Sequence, residues 1–180
     1  RNRSVDRGIV SDIKAFLKGL LGEIQEGNQG EALRQRFAPW VETVRKYERE
    51  GKEQARSMWE CDTLPMHPMR LAREVNDFLD RDDDMVIADG GDTATWMGMT
   101  RTIRQGGTYL DYGLYGCLAV GLPYANAAKL RYPDRRVLAI MGDGSSGFNF
   151  MEFHTAIRKK LPIVVVIGND QAWGMIMHSQ

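Results

Sequence analysis

Residues 137–170, VLAIMGDGSSGFNFMEFHTAIRKKLPIVVVIGND, decide the fold of this chain. The stretch contains two apolar runs rich in β-branched residues, 137–141 and 163–167, of the kind found in parallel strands that are buried on both faces. Between the runs, apolar residues recur at helical spacing: Phe150, Phe153 and Ile157. The pattern therefore predicts a strand, a glycine-rich turn, a helix and a second strand parallel to the first.

Polar residues follow both predicted strands. Asp143 lies in the Gly-Asp-Gly turn after the first strand, and Asn169 and Asp170 come soon after the second. Because the carboxyl ends of neighbouring parallel strands meet at one edge of a sheet, we expect these side chains to lie together. Their oxygens suit a Mg²⁺ ion that completes its shell with phosphate and water. Gly144 would let the backbone approach a phosphate where the following helix begins. A lone Gly-Asp-Gly is also ordinary turn chemistry, but the paired strand ends favour a ligand site.

A second glycine turn occurs earlier in the chain. The apolar run 85–88 predicts a strand that leads into residues 89–93, DGGDT. A strand, a Gly-Gly pair and a helix start form another place where backbone N–H groups can face an anion. The acidic residues just before this strand are interpreted as a solvated loop between a helix and the strand: Asp80, Asp82, Asp83 and Asp84.

Residues 142–176, GDGSSGFNFMEFHTAIRKKLPIVVVIGNDQAWGMI, resemble the diphosphate- and magnesium-binding motif of thiamine diphosphate enzymes. The resemblance is to the acetolactate synthase-like, benzaldehyde lyase-like and 2-hydroxyacyl-CoA lyase-like branch of that superfamily. The family motif is Gly-Asp-Gly, some two dozen residues, and Asn-Asn, with Asp170 here in place of the second Asn. The resemblance implies an α/β fold with a doubly wound, mostly parallel sheet, incomplete at the C-terminus. It also implies two cofactors, thiamine diphosphate and Mg²⁺.

The same resemblance assigns binding roles to individual residues. The metal would be held by the side chains of Asp143 and Asp170 and by the carbonyl of Ala172. Gly91, Asp92 and Thr93 would hold the far end of the diphosphate, where acetolactate synthases favour a Gln-His pair at the last two positions. Further cofactor-binding residues would be Gly142, Gly144, Ser145, Trp173, Gly174 and Met175. The family's tryptophan shortly after the Gly-Met pair is matched here by Ser179.

A glycine-rich segment supplies one more expected contact. Residues 113–128, GLYGCLAVGLPYANAA, resemble the family run G-x-x-G-x-M-G-x-G-L-P. In the family, the bulky apolar side chain of this run wedges the cofactor into a bent conformation. Leu118 occupies that position. A close-packed helix alone would also explain the density of small residues.

The resemblance divides the chain into three parts. Residues 1–25 would be the tail of a central domain, with a strand within 5–10 and a helix capped by Ser11. Residues 26–64 would be a linker of exposed helices, interrupted near Gly51. Residues 65–180 would be a truncated C-terminal thiamine diphosphate-binding domain. The family's catalytic glutamate lies outside this chain, so no catalytic residue is named and the isolated 180 residues are expected to be inactive.

The function implied is cleavage or joining of C–C bonds, as a lyase or carboligase acting on a 2-oxo acid or 2-hydroxyacyl substrate. A 2-hydroxyacyl-CoA lyase, an oxalyl-CoA decarboxylase-like enzyme and a non-catalytic homologue that binds the cofactor stay open. A different Mg-phosphate enzyme on a similar sheet is a further alternative, which would lack the apolar wedge at Leu118.

Composition limits the partners. Lys plus Arg and Asp plus Glu number 24 each, so no basic surface is expected for nucleic acid or an anionic membrane. No apolar run approaches the length of a membrane span. Cys61 and Cys117 are far apart without metal-ligand spacing, which predicts a reduced, cytoplasmic setting. The resemblance implies a small-molecule substrate and a homo-oligomer, dimer or tetramer, with the cofactor at the subunit interface.

Overall fold

The computed structural model describes residues 3–177, and the chain divides after Gln54 into two compact units. In the first unit, helix α1 (Ile13–Glu26) begins at Asp12, whose side-chain oxygen accepts a hydrogen bond from the Ala15 N–H at 2.9 Å. The expected cap at Ser11 is therefore wrong by one residue. Residues 5–10 form no strand, since an isolated extended segment has no partner to complete its hydrogen bonds.

Helix α2 (Gly30–Trp59) runs through Gly51 without a break, so the interruption expected there is wrong. One glycine inside a helix costs only about 1 kcal/mol. Ion pairs one turn apart flank this position, Lys46 with Glu50 at 3.7 Å and Lys52 with Glu48 at 2.6 Å. Such pairs offset part of that cost.

The second unit is built on a four-stranded parallel sheet with the order β2-β1-β3-β4. The strands are β1 (Met85–Asp89), β2 (Tyr109–Leu110), β3 (Val137–Gly142) and β4 (Val164–Gly168). Helix α3 (Pro68–Phe78) precedes the sheet, α4 (Gly91–Thr100) follows β1, and α5 (Gly121–Arg131) leads to β3. Helices α6 (Asp143–Phe148) and α7 (Glu152–Lys159) connect β3 to β4, and α8 (Gly174–Met177) follows β4. The connection predicted as one helix is thus two.

Both faces of the sheet are covered at β1 and β3, which confirms the doubly wound α/β fold. The edge strand β4 is only partly covered, with Val164 38% and Ile167 40% exposed, so the burial on both faces expected for the run 163–167 is wrong. Alternate strand residues point to opposite faces. On one face, Val86 and Ile140 pack with buried residues of α3 and α4, among them Val75 and Met97. On the other face, residues such as Ile87 and Ala139 pack with α5, including Leu122.

The strand order places three turns side by side. Strand β2 lies on one side of β1 in the sheet, whereas β3 and β4 lie on the other side. The order of the strands across the sheet therefore reverses between β1 and β3. Open α/β sheets bind ligands outside the carboxyl ends of their strands at such a point. Gly142 and Gly168 are register partners at the ends of β3 and β4, which sets Asp143 beside Asn169.

The opposite, amino end of the sheet carries a buried carboxylate. Asp84, immediately before β1, is fully buried, so the interpretation of the whole acidic run as a solvated loop is wrong at this residue. Its Oδ2 accepts from the Arg81 N–H at 3.0 Å and lies 3.5 Å from Nη1 of Arg136. Ion pairing with arginine makes burial of this charge possible.

Among the residues that the structure describes, no helix is both long and apolar enough to cross a membrane.

Candidate functional site

A pocket of about 330 Å³ lies at the carboxyl end of the sheet, within the size range of small-molecule sites. It is formed by the turn after β1, the turn after β3, the segment before α5 and the segment after β4. Every residue to which the sequence assigned a binding role lines it: Gly91, Asp92, Thr93, Leu118, Gly142, Asp143, Gly144, Ser145, Asp170, Ala172, Trp173, Gly174 and Met175. Ser179, matched to a family tryptophan, lies outside the described residues.

The other lining residues are Gly90, Tyr112, Gly116, Gly168 and Ile176. The family resemblance places Ile176 with Met175 at the active-site end of the cofactor, whereas the other four were given no binding role from the sequence. Gly90, Gly116 and Gly168 lie in or next to the glycine-rich turns and the strand end that the sequence indicated. Tyr112 directly precedes the glycine-rich segment 113–128 and follows β2, a strand of two residues that the hydrophobic pattern does not indicate.

The turn after β1 opens directly into a helix. Gly90, with φ of 89°, is the N-cap of α4 and offers no side chain to cap it. This left-handed backbone favours glycine. A Cβ at Gly91 would lie 2.9 Å from the Sδ of Met175, so only glycine allows this close approach. The first turn of α4 therefore has the bare backbone and positive helix end that suit an anion.

The turn after β3 is shaped in the same way. A Cβ at Gly144 would lie 2.9 Å from Nε1 of Trp173, so the indole sits directly against the bare backbone of this turn. Ser145 is buried, and its Oγ is 3.4 Å from the Ala119 N–H group that can donate to it. Two glycine turns from neighbouring strands thus line one pocket without side chains filling it.

The acidic side chains of the pocket come from three different elements. Asp143 is the first residue of α6. Asp170 follows β4, and its Oδ1 accepts from the Ala172 N–H at 3.0 Å. A Cβ at Gly174 would lie 2.7 Å from Oδ2 of Asp170 and 2.7 Å from Oδ2 of Asp92. The carboxylates of Asp92 and Asp170 therefore approach the same point, and only a glycine leaves room between them.

Asn169 behaves differently from its neighbour. Its Oδ1 accepts from the Gln171 N–H at 3.0 Å, a local turn that supports the backbone. The described pocket lining includes Asp170 and leaves out Asn169. Within residues 3–177 no group of three or more His, Cys, Asp or Glu side chains could hold a metal by itself. Asp143 and Asp170 both line the pocket, and carboxylate oxygens are the type of ligand that Mg²⁺ takes beside phosphate and water.

Apolar side chains form another part of the lining. Leu118, Met175 and Ile176 contribute aliphatic and thioether surface. The ring of Trp173 meets that of Phe148 edge to face, with ring centroids 5.8 Å apart. The pocket thus combines bare backbone and carboxylates, which suit a metal-bound anion, with apolar side chains, which suit an organic ring.

The sequence has clear relatives. Residues 89–180 match the family model for the C-terminal TPP binding domain of thiamine pyrophosphate enzymes. A probable acetolactate synthase of Mycobacterium bovis is 35% identical over 176 residues, covering 98% of this chain and 30% of that protein. The 2-hydroxyacyl-CoA lyase 2 of Homo sapiens is 32% identical over 177 residues, covering 96% of this chain and 26% of that protein.

A solved structure is similar as well. The thiamine diphosphate-dependent 4-hydroxybenzoylformate decarboxylase of Rhodococcus jostii superposes with a TM-score of 0.57 at 28% identity, covering 62% of this chain and 21% of that one. The chain spans 30% and 26% of the length of the two relatives above.

Proposed function

The chain belongs to the thiamine pyrophosphate enzymes through their C-terminal TPP binding domain, and from this membership we propose that the whole protein is a Mg²⁺-dependent lyase or carboligase. The observation that carries the proposal is the meeting of two glycine turns with the carboxylates of Asp143 and Asp170 in one pocket. Because the chain belongs to this family, the alternative of an unrelated Mg-phosphate enzyme on a similar sheet is excluded.

In this proposal the polar part of the pocket holds the diphosphate. The side chains of Asp143 and Asp170 and the carbonyl of Ala172 coordinate Mg²⁺, which offsets the negative charge of the phosphates. The first turn of α4, at Gly91, Asp92 and Thr93, faces the far end of the diphosphate. Gly142, Gly144 and Ser145 bring the backbone of the second turn close to it, where any larger side chain at Gly144 would collide with Trp173.

The apolar part of the pocket orients the organic portion of the cofactor. Leu118 packs against it as the wedge, and Trp173, Gly174 and Met175 form the neighbouring wall. Thiamine diphosphate, when bound, supplies a nucleophilic carbon and an electron sink for breaking or forming a C–C bond. The chain's own residues anchor, bend and shield it. No residue of this chain is assigned a catalytic role, because the family glutamate is implied to lie elsewhere in the protein.

The substrate class is a 2-oxo acid or a 2-hydroxyacyl compound. A relative named as an acetolactate synthase and another named as a 2-hydroxyacyl-CoA lyase match this chain at similar identity. The first kind of reaction releases CO₂ from a 2-oxo acid and joins the remainder to a second carbonyl compound. The second kind cleaves a 2-hydroxyacyl-CoA.

We also propose a domain organisation, an oligomeric state and a cellular location for the protein. Residues 1–25, 26–64 and 65–180 are assigned to a central-domain tail, a linker and the cofactor domain. Phe148, whose ring meets that of the pocket residue Trp173, is more than half exposed, which supports a homo-oligomer whose partner covers apolar surface near the cofactor. Cys61 and Cys117 are free thiols, which supports a cytoplasmic location.

Calorimetry and product analysis on the full-length protein test the proposal. We expect thiamine diphosphate to bind in the presence of Mg²⁺ and to bind at least about tenfold more weakly with a chelator, because the carboxylates of Asp143 and Asp170 would repel the phosphates without a cation. Turnover is then assayed with a 2-oxo acid and, separately, with a 2-hydroxyacyl-CoA.

The outcomes separate the alternatives. Turnover of one substrate class decides between the two reactions. Tight, Mg-dependent binding without turnover of either class would favour a non-catalytic homologue. Absence of thiamine diphosphate binding by the full-length protein would contradict the proposal.

A further inference from the structure

The turn that carries Leu118 has an unfavourable backbone conformation. Ala119, the next residue, has φ of 76°, in the left-handed region that is unfavourable for a residue other than glycine. The family run has glycine at this position, whereas this chain has alanine. Since Leu118 lines the pocket, the conformation of Ala119 determines how Leu118 is presented there. Contacts with neighbouring residues must therefore stabilise the left-handed conformation of Ala119.

A buried carboxylate holds the N–H side of the turn. Asp89, the last residue of β1, is fully buried. Its Oδ1 accepts from the Ala119 N–H at 3.1 Å, and its Oδ2 accepts from the Gly121 N–H at 2.7 Å. Gly121 is the first residue of α5, so the same carboxylate also lies at the positive end of that helix. A Cβ at Gly121 would lie 3.0 Å from this oxygen and 2.1 Å from Cε of Met141, which explains the glycine there.

An amide side chain holds the other side of the turn. The Nδ2 of Asn149, just after α6, donates to the carbonyl of Ala119 at 2.8 Å. Ala119 is therefore fixed through both of its backbone polar groups. Asp89 and, at 3.4 Å, the Ser145 Oγ accept from its N–H group, and Asn149 donates to its carbonyl. Asp89 and Asn149 are absent from the described lining of the pocket, so their effect on a bound molecule passes through the turn.

We infer that Asp89 and Asn149 are positioning residues, which hold Ala119 in its left-handed conformation and so direct the Leu118 side chain into the cofactor pocket. The inference rests on the proposed function, because it takes the pocket to be the thiamine diphosphate site. The carboxylate acts as a double acceptor, and an isosteric amide replaces one of its two acceptor atoms with a donor that faces an N–H group.

The test compares Asp89→Asn with Asp84→Asn in the full-length protein. Both residues are fully buried aspartates at the two ends of β1, but only Asp89 contacts the Leu118 turn. The readouts are the Kd of thiamine diphosphate with Mg²⁺ by calorimetry, the thermal midpoint without cofactor, and KM for the cofactor against kcat. We expect Asp89→Asn to raise the Kd about fivefold, because a misdirected Leu118 loses at most the contact that its removal would cost. Asp84→Asn should lower the thermal midpoint and leave the Kd unchanged.

A double-mutant cycle with Ala119→Gly isolates the mechanism. Glycine adopts the left-handed conformation without strain, so Asp89→Asn should raise the Kd by no more than about twofold when it is combined with Ala119→Gly. Should Asp89→Asn fail to fold, Asn149→Ala tests the same inference at an exposed position, with an expected rise in Kd of about threefold.

The failures are distinguishable. If the wild-type protein does not bind thiamine diphosphate, the proposed function is wrong. If it binds, and both Asp89→Asn and Asn149→Ala leave the Kd unchanged, the inference alone is wrong. The inference would also be overturned if Asp84→Asn raised the Kd as much as Asp89→Asn does. The same holds if Asp89→Asn raised the Kd as much in the Ala119→Gly variant as in the wild-type protein.

Discussion

The two ends of the parallel sheet have opposite chemistry. At the amino end, helices finish, and their free carbonyl groups receive cations: Arg136 donates to the carbonyl of Phe78 and Arg101 to that of Leu79, at the end of α3. At the carboxyl end, helices begin, and their free N–H groups meet anions, as where Asp89 accepts from Gly121. The direction of the chain thus makes one end suited to arginines and the other to carboxylates and phosphates.

This comparison explains why two buried aspartates on one strand serve different purposes. Asp84 is held by arginines in an ion-paired cluster with Arg81 and Arg136, which stabilises the fold. Asp89 is held by backbone N–H groups and shapes the edge of a pocket. If the account is correct, substitutions at the carboxyl end change cofactor affinity and those at the amino end change stability.

The largest effect is expected at the proposed metal ligand. Asp143→Asn should weaken Mg-dependent binding of thiamine diphosphate by about 30-fold or more, since losing one partner of a charge pair costs roughly 2–5 kcal/mol. The matched control is Asp134→Asn, an exposed aspartate in the turn before β3, at the amino end of the same strand. Calorimetry on the full-length variants measures both. Equal affinities for the two variants would remove Asp143 from the metal site.

A smaller effect is expected where bare backbone is required. A methyl group at residue 144 would lie 2.9 Å from Nε1 of Trp173. Gly144→Ala should therefore displace the indole and weaken cofactor binding about tenfold, or about 1.4 kcal/mol. Gly147→Ala, in the same helix, meets nothing within 4 Å and should leave binding unchanged while stabilising the helix by up to about 1 kcal/mol. Fluorescence titration measures the cofactor affinity of each variant, and thermal melts measure its stability. Indistinguishable affinities for the pair would argue against a close approach at Gly144.

The smallest effect is expected from the wedge. Leu118 is half-buried in the pocket lining, so Leu118→Ala removes about 1 kcal/mol of apolar contact and should lower cofactor-dependent kcat/KM roughly fivefold. Leu79→Ala, at the amino end and 1% exposed, should lower the free energy of unfolding by about 2–5 kcal/mol without changing cofactor affinity. Steady-state kinetics and denaturant titrations measure the pair. Unchanged turnover in Leu118→Ala would exclude this side chain from the site.

The parts of the fold that the sequence predicted are those with short-range signals. The apolar runs 137–141 and 163–167 include all of β3 and β4 except Gly142 and Gly168, so no boundary of these strands differs by more than one residue. Placing Asp143 beside Asn169 needed only the rule that parallel strands end at the same edge. Every residue assigned to the site lines the pocket for the same reason, because each lies within a few residues of a strand end or glycine turn.

The contacts that the sequence did not predict join distant residues. Asp84 pairs with Arg136, and Asp89 contacts Ala119 and Gly121, across separations for which no periodicity exists. Nothing local distinguishes a buried aspartate from a solvated one in the run 80–84. The left-handed conformation of Ala119 is equally invisible, since alanine carries none of the preference that glycine signals.

The structure of the full-length protein with thiamine diphosphate and Mg²⁺ tests the central claim most directly. The account predicts the diphosphate against the glycine turns after β1 and β3, and one Mg²⁺ with oxygens of Asp143, Asp170 and the Ala172 carbonyl at about 2.0–2.1 Å. A metal coordinated by Asn169 with Asp170 turned away, or a cofactor bound away from the carboxyl end of the sheet, would contradict it.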